Sequence, residues 1–205
     1  MGLATAERFA REGFQVVLSA RNEGKVRDLA EQLRAKGHKV EVRTVDAGDP
    51  ASVAKLVEGV ERDFGGIDVL NFNAASMRNQ TLANQPRDSF NTDLAVNIGG
   101  AAVAAQAAAP KMLQRGSGSV LFTGGGFELQ PHPETFHSAS ARPASALAQG
   151  IFEPFKANGV HVATVTVVGF VTTAEDANAL AEHFWQLHSQ PKGSWEVEAM
   201  YTPKG

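Results

Sequence analysis

The chain has 205 residues, a formal net charge of −3 and no cysteine, and its size favours one domain over residues 1–205 with a sizeable core. The lack of cysteine excludes disulfides, thiolate metal ligands and a cysteine nucleophile, and the mixed charges do not form the basic stripe of a nucleic-acid-binding protein. No stretch is apolar enough to span a membrane and the amino end is unlike a signal peptide, so we expect a cytoplasmic protein without membrane contacts.

Short apolar runs alternate with helical periodicities along the whole chain. We expect helices at 2–12, 23–36, 50–64, 88–114, 138–157 and 174–188. We expect strands at 14–19, 40–45, 119–123, 161–168 and 195–200, besides one within 66–75. Pro110 should distort or shorten the fourth helix. Such alternation predicts an α/β fold, a Rossmann-like doubly wound parallel sheet in three α/β/α layers.

The stretch 66–75 is the one around which the rest of the chain is organised. An apolar run there ends abruptly in Asn71, Phe72 and Asn73, followed by Ala74 and Ala75. Small polar residues at the carboxyl end of a buried parallel strand are typical of the place where an open α/β sheet binds its ligand. The alternative is a strand end that is fastened by an Asx turn.

Five short motifs, in order and spacing, resemble those of the short-chain dehydrogenase/reductase family over essentially the whole chain. They are Gly-Leu-Ala-Thr-Ala at 2–6, Ala-Arg-Asn at 20–22, Val-Asp at 45–46, Asn-Phe-Asn-Ala-Ala at 71–75 and Val-Asn-Ile-Gly at 96–99. The resemblance implies an oxidoreductase that uses a nicotinamide cofactor on a small carbonyl or alcohol substrate. Each motif alone is weak, but five in register are a strong signal.

The resemblance also implies which residues hold the cofactor. They are Gly2, Ala20, Arg21, Asn22, Asp46, Ala47, Asn73, Ala74, Ala75 and Gly124. Arg21 favours NADP(H) over NAD(H), because an arginine at this place can pair with a 2′-phosphate. Arg21 could instead be a solvated loop residue, and Asp46 could simply cap the turn that follows it. The glycines from Gly124 to Gly126 predict either a flexible turn or a floor against which nicotinamide lies.

The catalytic positions depart from the family pattern. In register, the family's serine falls at Gly125, or at Gly124 with a one-residue slip, its tyrosine at His137 and its lysine at Ala141. The resemblance assigns Asn97 a structural and catalytic role, and His137 is the candidate proton donor, although a loop histidine without a catalytic role is the simpler interpretation. Asn97 could equally be a buried asparagine that bonds a neighbouring strand. We therefore expect weak or no activity, and the alternative function is a non-catalytic cofactor-binding or regulatory protein.

The family's first strand and most of its phosphate loop have no counterpart in this sequence. Losing that strand would leave two sheet edges facing each other. We expect a shortened version of a longer parent, and the alternatives are that another segment or subunit fills the gap, or that cofactor binds poorly. The alanine-rich run 101–109 and the helix after Ser138 resemble the paired helices of family dimers, which predicts a homodimer or homotetramer. We expect no metal site, because the loop histidines have no ligand partners at suitable spacing.

Overall fold

Six parallel strands and seven α-helices form the part of the chain that the computed structural model describes, which is residues 1–126, 129 and 142–205 without the side chains of Lys25, Arg142 and Pro143. The helices are α1 (Gly2–Arg11), α2 (Glu23–Ala35), α3 (Pro50–Phe64), α4 (Ser89–Leu94), α5 (Gly100–Arg115), α6 (Arg142–Ala157) and α7 (Ala174–Ser189). The strands are β1 (Val16–Ala20), β2 (Val40–Thr44), β3 (Val69–Phe72), β4 (Ser119–Gly125), β5 (His161–Val167) and β6 (Glu198–Tyr201).

The strands form two separate parallel sheets. One holds β1 and β2, with Val16 opposite Val40, and the other has the order β3-β4-β5-β6, with Val69 opposite Ser119. Among the described residues, β1 and β3 are not paired with each other. The two facing edges that the sequence predicted are therefore present.

Helices cover both faces of the strands, as a doubly wound fold requires. Leu121 points to one face, where it packs in a cluster with Phe9 of α1 and Phe184 of α7. Its neighbours Val120 and Phe122 point to the other face, because successive strand residues alternate. That second cluster is built from residues of α3, α5 and α6. The predicted three-layer α/β/α fold is confirmed.

Helix α5 corrects one expectation. It continues through Pro110 to Arg115, so the predicted shortening there is wrong. Four buried alanines of this helix, Ala101, Ala104, Ala105 and Ala108, pack into the core, and this packing outweighs the one hydrogen bond that a proline removes. The irregular turn lies earlier, at Ala95–Gly99, which is π-helical.

Two strand boundaries also differ from the expectation. Strand β4 runs on to Gly125, because its last residues continue the ladder with β5 up to Val167. Strand β6 begins only at Glu198, because Lys192–Ser194 forms a 3₁₀ turn ahead of it.

Candidate functional site

The residues that the sequence assigns to the cofactor lie at the carboxyl ends of neighbouring strands. Ala20 ends β1, Asp46 follows β2, Asn73 follows β3, and Gly124 is the penultimate residue of β4. The strands are parallel within each sheet, so Ala20 and Asp46 lie at the carboxyl edge of one sheet, and Asn73 and Gly124 at that of the other. The Ala47 carbonyl and the Phe72 ring both lie within 3.0 Å of the point where a Cβ on Gly100 would stand, which brings the two carboxyl ends together at one edge. That edge is the usual place for a ligand in an open α/β sheet.

Asn73 joins three elements at this edge. Its Oδ1 accepts a hydrogen bond from the Thr123 hydroxyl of β4 at 2.8 Å. Its Nδ2 lies 3.3 Å from the point where a Cβ on Gly2 would stand. The first turn of α1 thus sits directly beside the end of β3, and the absence of a side chain at Gly2 permits that approach.

Asn97 holds the backbone that follows Asn73. Within the π-helical turn, its Oδ1 accepts from the Ser76 N–H at 2.7 Å, and its Nδ2 donates to the Ser76 carbonyl at 3.1 Å. This pair of bonds fixes the segment in which Ala74 and Ala75 stand exposed. Asn97 therefore has the structural role that the sequence suggested, although it bonds a loop rather than a strand. A π-helical turn at such a place is often a mark of a functional site.

A buried carboxylate that sequence reasoning missed fastens the same loop. Asp93 is only 2% exposed and accepts hydrogen bonds from the Ser76 hydroxyl at 2.6 Å, Arg78 Nε at 2.7 Å and Gln85 Nε2 at 3.1 Å. Asp93 stands one helical turn before Asn97, so both residues face the loop. The available signal was an aspartate and an asparagine four residues apart in a predicted helix, where neither is favoured.

The residues after β1 and β2 are exposed or partly exposed. Arg21 is exposed at the end of β1. Asp46 is exposed, and its Oδ1 accepts from the Gly48 N–H at 2.9 Å, so the turn-capping interpretation holds for that oxygen. The carbonyl of Ala47 would lie 2.2 Å from a Cβ on Gly100, which means that α5 can reach this turn only because residue 100 is glycine.

Gly124 is a glycine for a packing reason. A Cβ there would stand 2.8 Å from Thr164 Cγ2 and 3.1 Å from Thr166 Oγ1. Those threonines belong to β5, so the close approach lies inside the sheet. The interpretation of Gly124 and Gly125 as a flexible turn is wrong, because both are strand residues. His137 and Ala141, at the predicted tyrosine and lysine positions, lie outside the described residues.

Tyr201, the chain's one tyrosine, is tied into a different network. Its hydroxyl donates to Asp176 Oδ1 at 2.8 Å, and the same oxygen accepts from the Lys204 N–H at 2.9 Å. Burial and the nearby Asp176 carboxylate raise the pKa of Tyr201 to about 12. A phenol with that pKa, hydrogen-bonded to a carboxylate, is a poor general acid or base near neutral pH.

Within 1–126, 129 and 142–205, no group of three or more histidine or acidic side chains is arranged to hold a metal ion. None of the helices in those ranges combines the length and the apolar character needed to cross a bilayer.

Comparison with known proteins agrees with this geometry. The sequence profile described as "short chain dehydrogenase" matches residues 1–183. An uncharacterized oxidoreductase of Staphylococcus aureus strain USA300 is 31% identical over 206 residues, covering 100% of this chain and 87% of that protein. An uncharacterized oxidoreductase of Staphylococcus saprophyticus is 29% identical over 169 residues, covering 81% and 72%.

Solved structures have the same fold. A metagenomic short-chain oxidoreductase in complex with NADP superposes with a TM-score of 0.91 at 24% identity, covering 99% of this chain and 91% of that one. A short-chain dehydrogenase from Rhodopseudomonas palustris gives 0.88 at 25% identity, covering 98% and 92%.

Proposed function

This chain belongs to the short-chain dehydrogenase family, and we propose that it binds NADP(H), in preference to NAD(H), along the carboxyl edge of its strands. The substrate is a small carbonyl or alcohol compound. Hydride transfer is weak or absent, because the residues that move the proton in the family are replaced at His137 and Ala141.

The observation that carries the proposal is that hydrogen bonds hold the segment after β3, from Asn73 to Ser76, in place. We call this segment the shelf. Asn73 accepts a hydrogen bond from Thr123, and Ser76 is held by two hydrogen bonds with Asn97, one accepted and one donated by the Asn97 amide. Between these fixed points, Ala74 and Ala75 present small exposed side chains. A flat ligand can lie close to such a backbone, because no bulky side chain stands in the way.

The first turn of α1 supports binding of the phosphates. The helix begins at Gly2 and has no side-chain cap at Met1, so its first N–H groups are available to an anion. The helix dipole adds to this attraction. Gly2 lies beside Asn73, which brings the anion-binding end of α1 to the shelf.

The preference for NADP(H) depends on Arg21. Its side chain is exposed at the end of β1, where a guanidinium can form charge-assisted hydrogen bonds with a 2′-phosphate. Asn22, Asp46 and Ala47 complete the adenosine end in this proposal. The NADP in the metagenomic relative's complex supports the same choice.

When bound, the nicotinamide supplies or accepts the hydride. The chain's own part is to hold the substrate oxygen and move a proton, and few residues are suited to this. Both groups of the Asn97 amide are bonded to Ser76, which makes Asn97 a positioning residue, and His137 is the proposed proton donor.

A non-catalytic cofactor-binding or regulatory protein is the second candidate function. The pKa of Tyr201, about 12, and its bond to Asp176 favour it, because the chain has no other tyrosine.

We also propose a cytoplasmic homodimer or homotetramer. The buried alanines of α5 already pack within one chain, so the dimer surface would have to come from other residues of α5 and α6. Sedimentation equilibrium measures this directly, and a monomer at all concentrations would refute it.

Titration with NADPH and NADH, followed by nicotinamide fluorescence, tests cofactor binding. We expect saturable binding of NADPH and weaker binding of NADH. Single-turnover assays with an aldehyde and ketone panel then separate the two candidate functions. Measurable NADPH oxidation that is lost in His137→Phe supports the enzyme, and binding without oxidation supports the second candidate. No binding of either nucleotide refutes both.

A further inference from the structure

Large apolar side chains are exposed on the segments that follow β3, β4 and β5. Eight large apolar side chains are exposed among the described residues, and five of them lie on these segments. They are Met77, Leu82 and Leu94 after β3, Leu129 after β4 and Phe170 after β5. Exposed apolar residues are ordinary when they are scattered singly, but a group of them usually marks a binding surface. This group therefore indicates a ligand near the carboxyl edge of the strands.

The backbone that carries Met77 is held in place. On one side of it the Ser76 hydroxyl donates to Asp93 Oδ1 at 2.6 Å, and on the other side Arg78 Nε donates to Asp93 Oδ2 at 2.7 Å. Leu94 directly follows Asp93, so it is attached to the same anchor. Met77 is 55% exposed, and it is thus an apolar side chain presented on a fixed backbone.

The turn that carries Leu82 is fixed to the same anchor. The Thr81 carbonyl accepts from the N–H groups of Asn84 and Gln85, which closes a turn around Leu82. The Gln85 side chain is buried, and its Nε2 donates to Asp93 Oδ2 at 3.1 Å. Leu82 therefore cannot withdraw into the core without breaking these bonds.

Phe170 lies on the other side of the end of β4, because β4 separates β3 from β5 in the sheet. The Val168 N–H donates to the Tyr201 carbonyl at 2.8 Å. A Cβ on Gly169 would stand 3.5 Å from Pro203 Cδ, so this backbone also rests on the segment after β6. Phe170 follows directly and is 56% exposed.

The end of β4 joins the two sides. A Cβ on Gly126 would stand 2.9 Å from Val168 Cα, and the Leu129 N–H donates to the Gly126 carbonyl at 2.9 Å. Leu129 and Phe170 are thus both tied to one backbone contact. The residues between the two apolar sides are small, namely Ala74, Ala75 and the glycines 124–126. Apolar walls beside a floor of small residues suit a small molecule better than the surface of a protein.

Charged side chains are scarce around this place. Residues 69–77, 117–126 and 162–174 contain none. Arg78 follows the first of these segments, and its salt bridge with the buried Asp93 offsets its charge. A carboxylate or an ammonium group placed here would lose its hydration without gaining an uncompensated charge as a partner. The part of the substrate that does not react is therefore uncharged.

We propose that the substrate is an uncharged carbonyl or alcohol compound with a hydrocarbon chain of several carbons, which packs between Met77 and Leu82 on one side and Leu129 and Phe170 on the other. This inference rests on the proposed function, because the reacting end of the substrate lies at the nicotinamide. Burial of the chain against these four side chains supplies the binding free energy.

The test is a titration with unbranched ketones from butan-2-one to octan-2-one, followed by NMR of labelled methionine and leucine methyl groups. Octan-2-one is compared with 2-oxooctanoate, which has the same length and carries a carboxylate. Met77 and Leu82 report on the proposed site. Met200, 57% exposed on the edge strand β6, is the matched reference. Each titration is done with and without NADPH, whose binding is followed by its fluorescence.

We expect saturable shifts at Met77 and Leu82, and an affinity that rises about threefold to fourfold with each added methylene group. 2-Oxooctanoate should bind about tenfold or more weakly than octan-2-one. Met77→Ser and Phe170→Ser should each weaken octan-2-one binding about fourfold or more, and Met200→Ser should leave it unchanged. All three side chains are more than half exposed, so the variants should fold normally.

An affinity that does not change with chain length, or equal binding of the oxo acid, would overturn the proposal. Shifts that spare Met77 and Leu82 would also overturn it. So would shifts that follow protein concentration alone and accompany a doubled mass, because a second copy would then cover these side chains.

The fluorescence readout separates this inference from the proposed cofactor binding. Ketone binding at Met77 without nucleotide binding supports the apolar site and refutes the cofactor proposal. Nucleotide binding without any ketone binding supports the cofactor proposal and overturns the apolar site.

Discussion

The centre of the larger sheet and the facing edges of β1 and β3 are built from similar apolar sequences but have different surroundings. Every residue of β5 is buried, and Val120, Leu121 and Phe122 of β4 are 0% exposed. Along β3, by contrast, every residue is only partly buried. An apolar strand sequence therefore does not by itself make the strand fully buried, because burial also depends on a neighbouring strand on each side.

The largest expected effect compares two leucines of the two regions. Leu121→Ala in β4 should lower the free energy of unfolding by about 2–5 kcal/mol, as for other fully buried leucines. Leu18→Ala in β1, where the side chain is only partly buried, should cost about 1 kcal/mol, because less contact area is lost. Urea unfolding of both variants measures the difference. Equal losses would mean that the edge of β1 is as well packed as the centre.

The second effect concerns Gly124, in β4 of the larger sheet. Gly124→Ala should destabilise the protein by about 1–3 kcal/mol, since the new methyl group would stand 2.8 Å from Thr164 Cγ2. Gly150→Ala is the matched control, because nothing lies within 4 Å of a Cβ in that helix position. It should stabilise by about 0.5–1 kcal/mol. Thermal melts of both proteins check the signs, and a neutral Gly124→Ala would remove the packing explanation.

The third effect concerns Arg21, which directly follows β1 on the side where we propose that the cofactor binds. Arg21→Glu should weaken NADPH binding about tenfold or more, the effect of losing about 1.4 kcal/mol of charge-assisted hydrogen bonding. NADH binding should be unchanged or slightly stronger. Arg27→Glu, the same change of charge at an exposed position of α2, is the control. Equal weakening of both nucleotides by Arg21→Glu would show that Arg21 does not meet the 2′-phosphate.

The smallest effect is a pH dependence of the free energy of unfolding that arises from two histidines, His161 of β5 and His188 of α7. Burial lowers the pKa values of His161 and His188, so the unfolded chain binds protons more readily than the folded one. Stability from these groups is therefore complete above the unfolded pKa, about 6.5, and is lost as the pH falls below it. The midpoint of urea unfolding should therefore decrease as the pH is lowered from about 7.5 to about 5.5.

The histidine variants separate this effect from general acid destabilisation. His161 stacks on Trp195 with ring centroids 4.8 Å apart, and its Nε2 donates to the Glu196 carbonyl at 2.8 Å. His161→Phe keeps a ring there but cannot take up a proton, so the decrease should become shallower. An unchanged slope in His161→Phe would show that His161 does not contribute.

The sequence predicted the fold well because its main signal is periodic. Alternating strands and helices, with Pro50 and Gly65 at the ends of α3, come from local rules. The missed features are long-range contacts. Asp93 and Ser76 are 17 positions apart, and only the folded chain shows that this pair anchors the loop. The helix through Pro110 was predicted, but the shortening expected there was wrong, since tertiary packing overrides a local penalty.

The candidate site was predicted in part. Asn73 and Asn97 were identified from the family pattern, and the structure gives both of them specific partners. The reason for Gly124 could not be predicted, because it depends on Thr164 and Thr166 of the adjacent strand. Neither could the reason for Gly100, which depends on the Ala47 carbonyl.

The central claim is that one nicotinamide nucleotide binds across the carboxyl edge and contacts both sheets. NMR titration of the labelled protein with NADPH tests this claim most directly. We expect saturable amide shifts at Arg21 and Asn22 on one side of the gap, and at Ala74 and Ala75 on the other, with the same dissociation constant. No shifts at millimolar NADPH, or shifts on one side only, would contradict it.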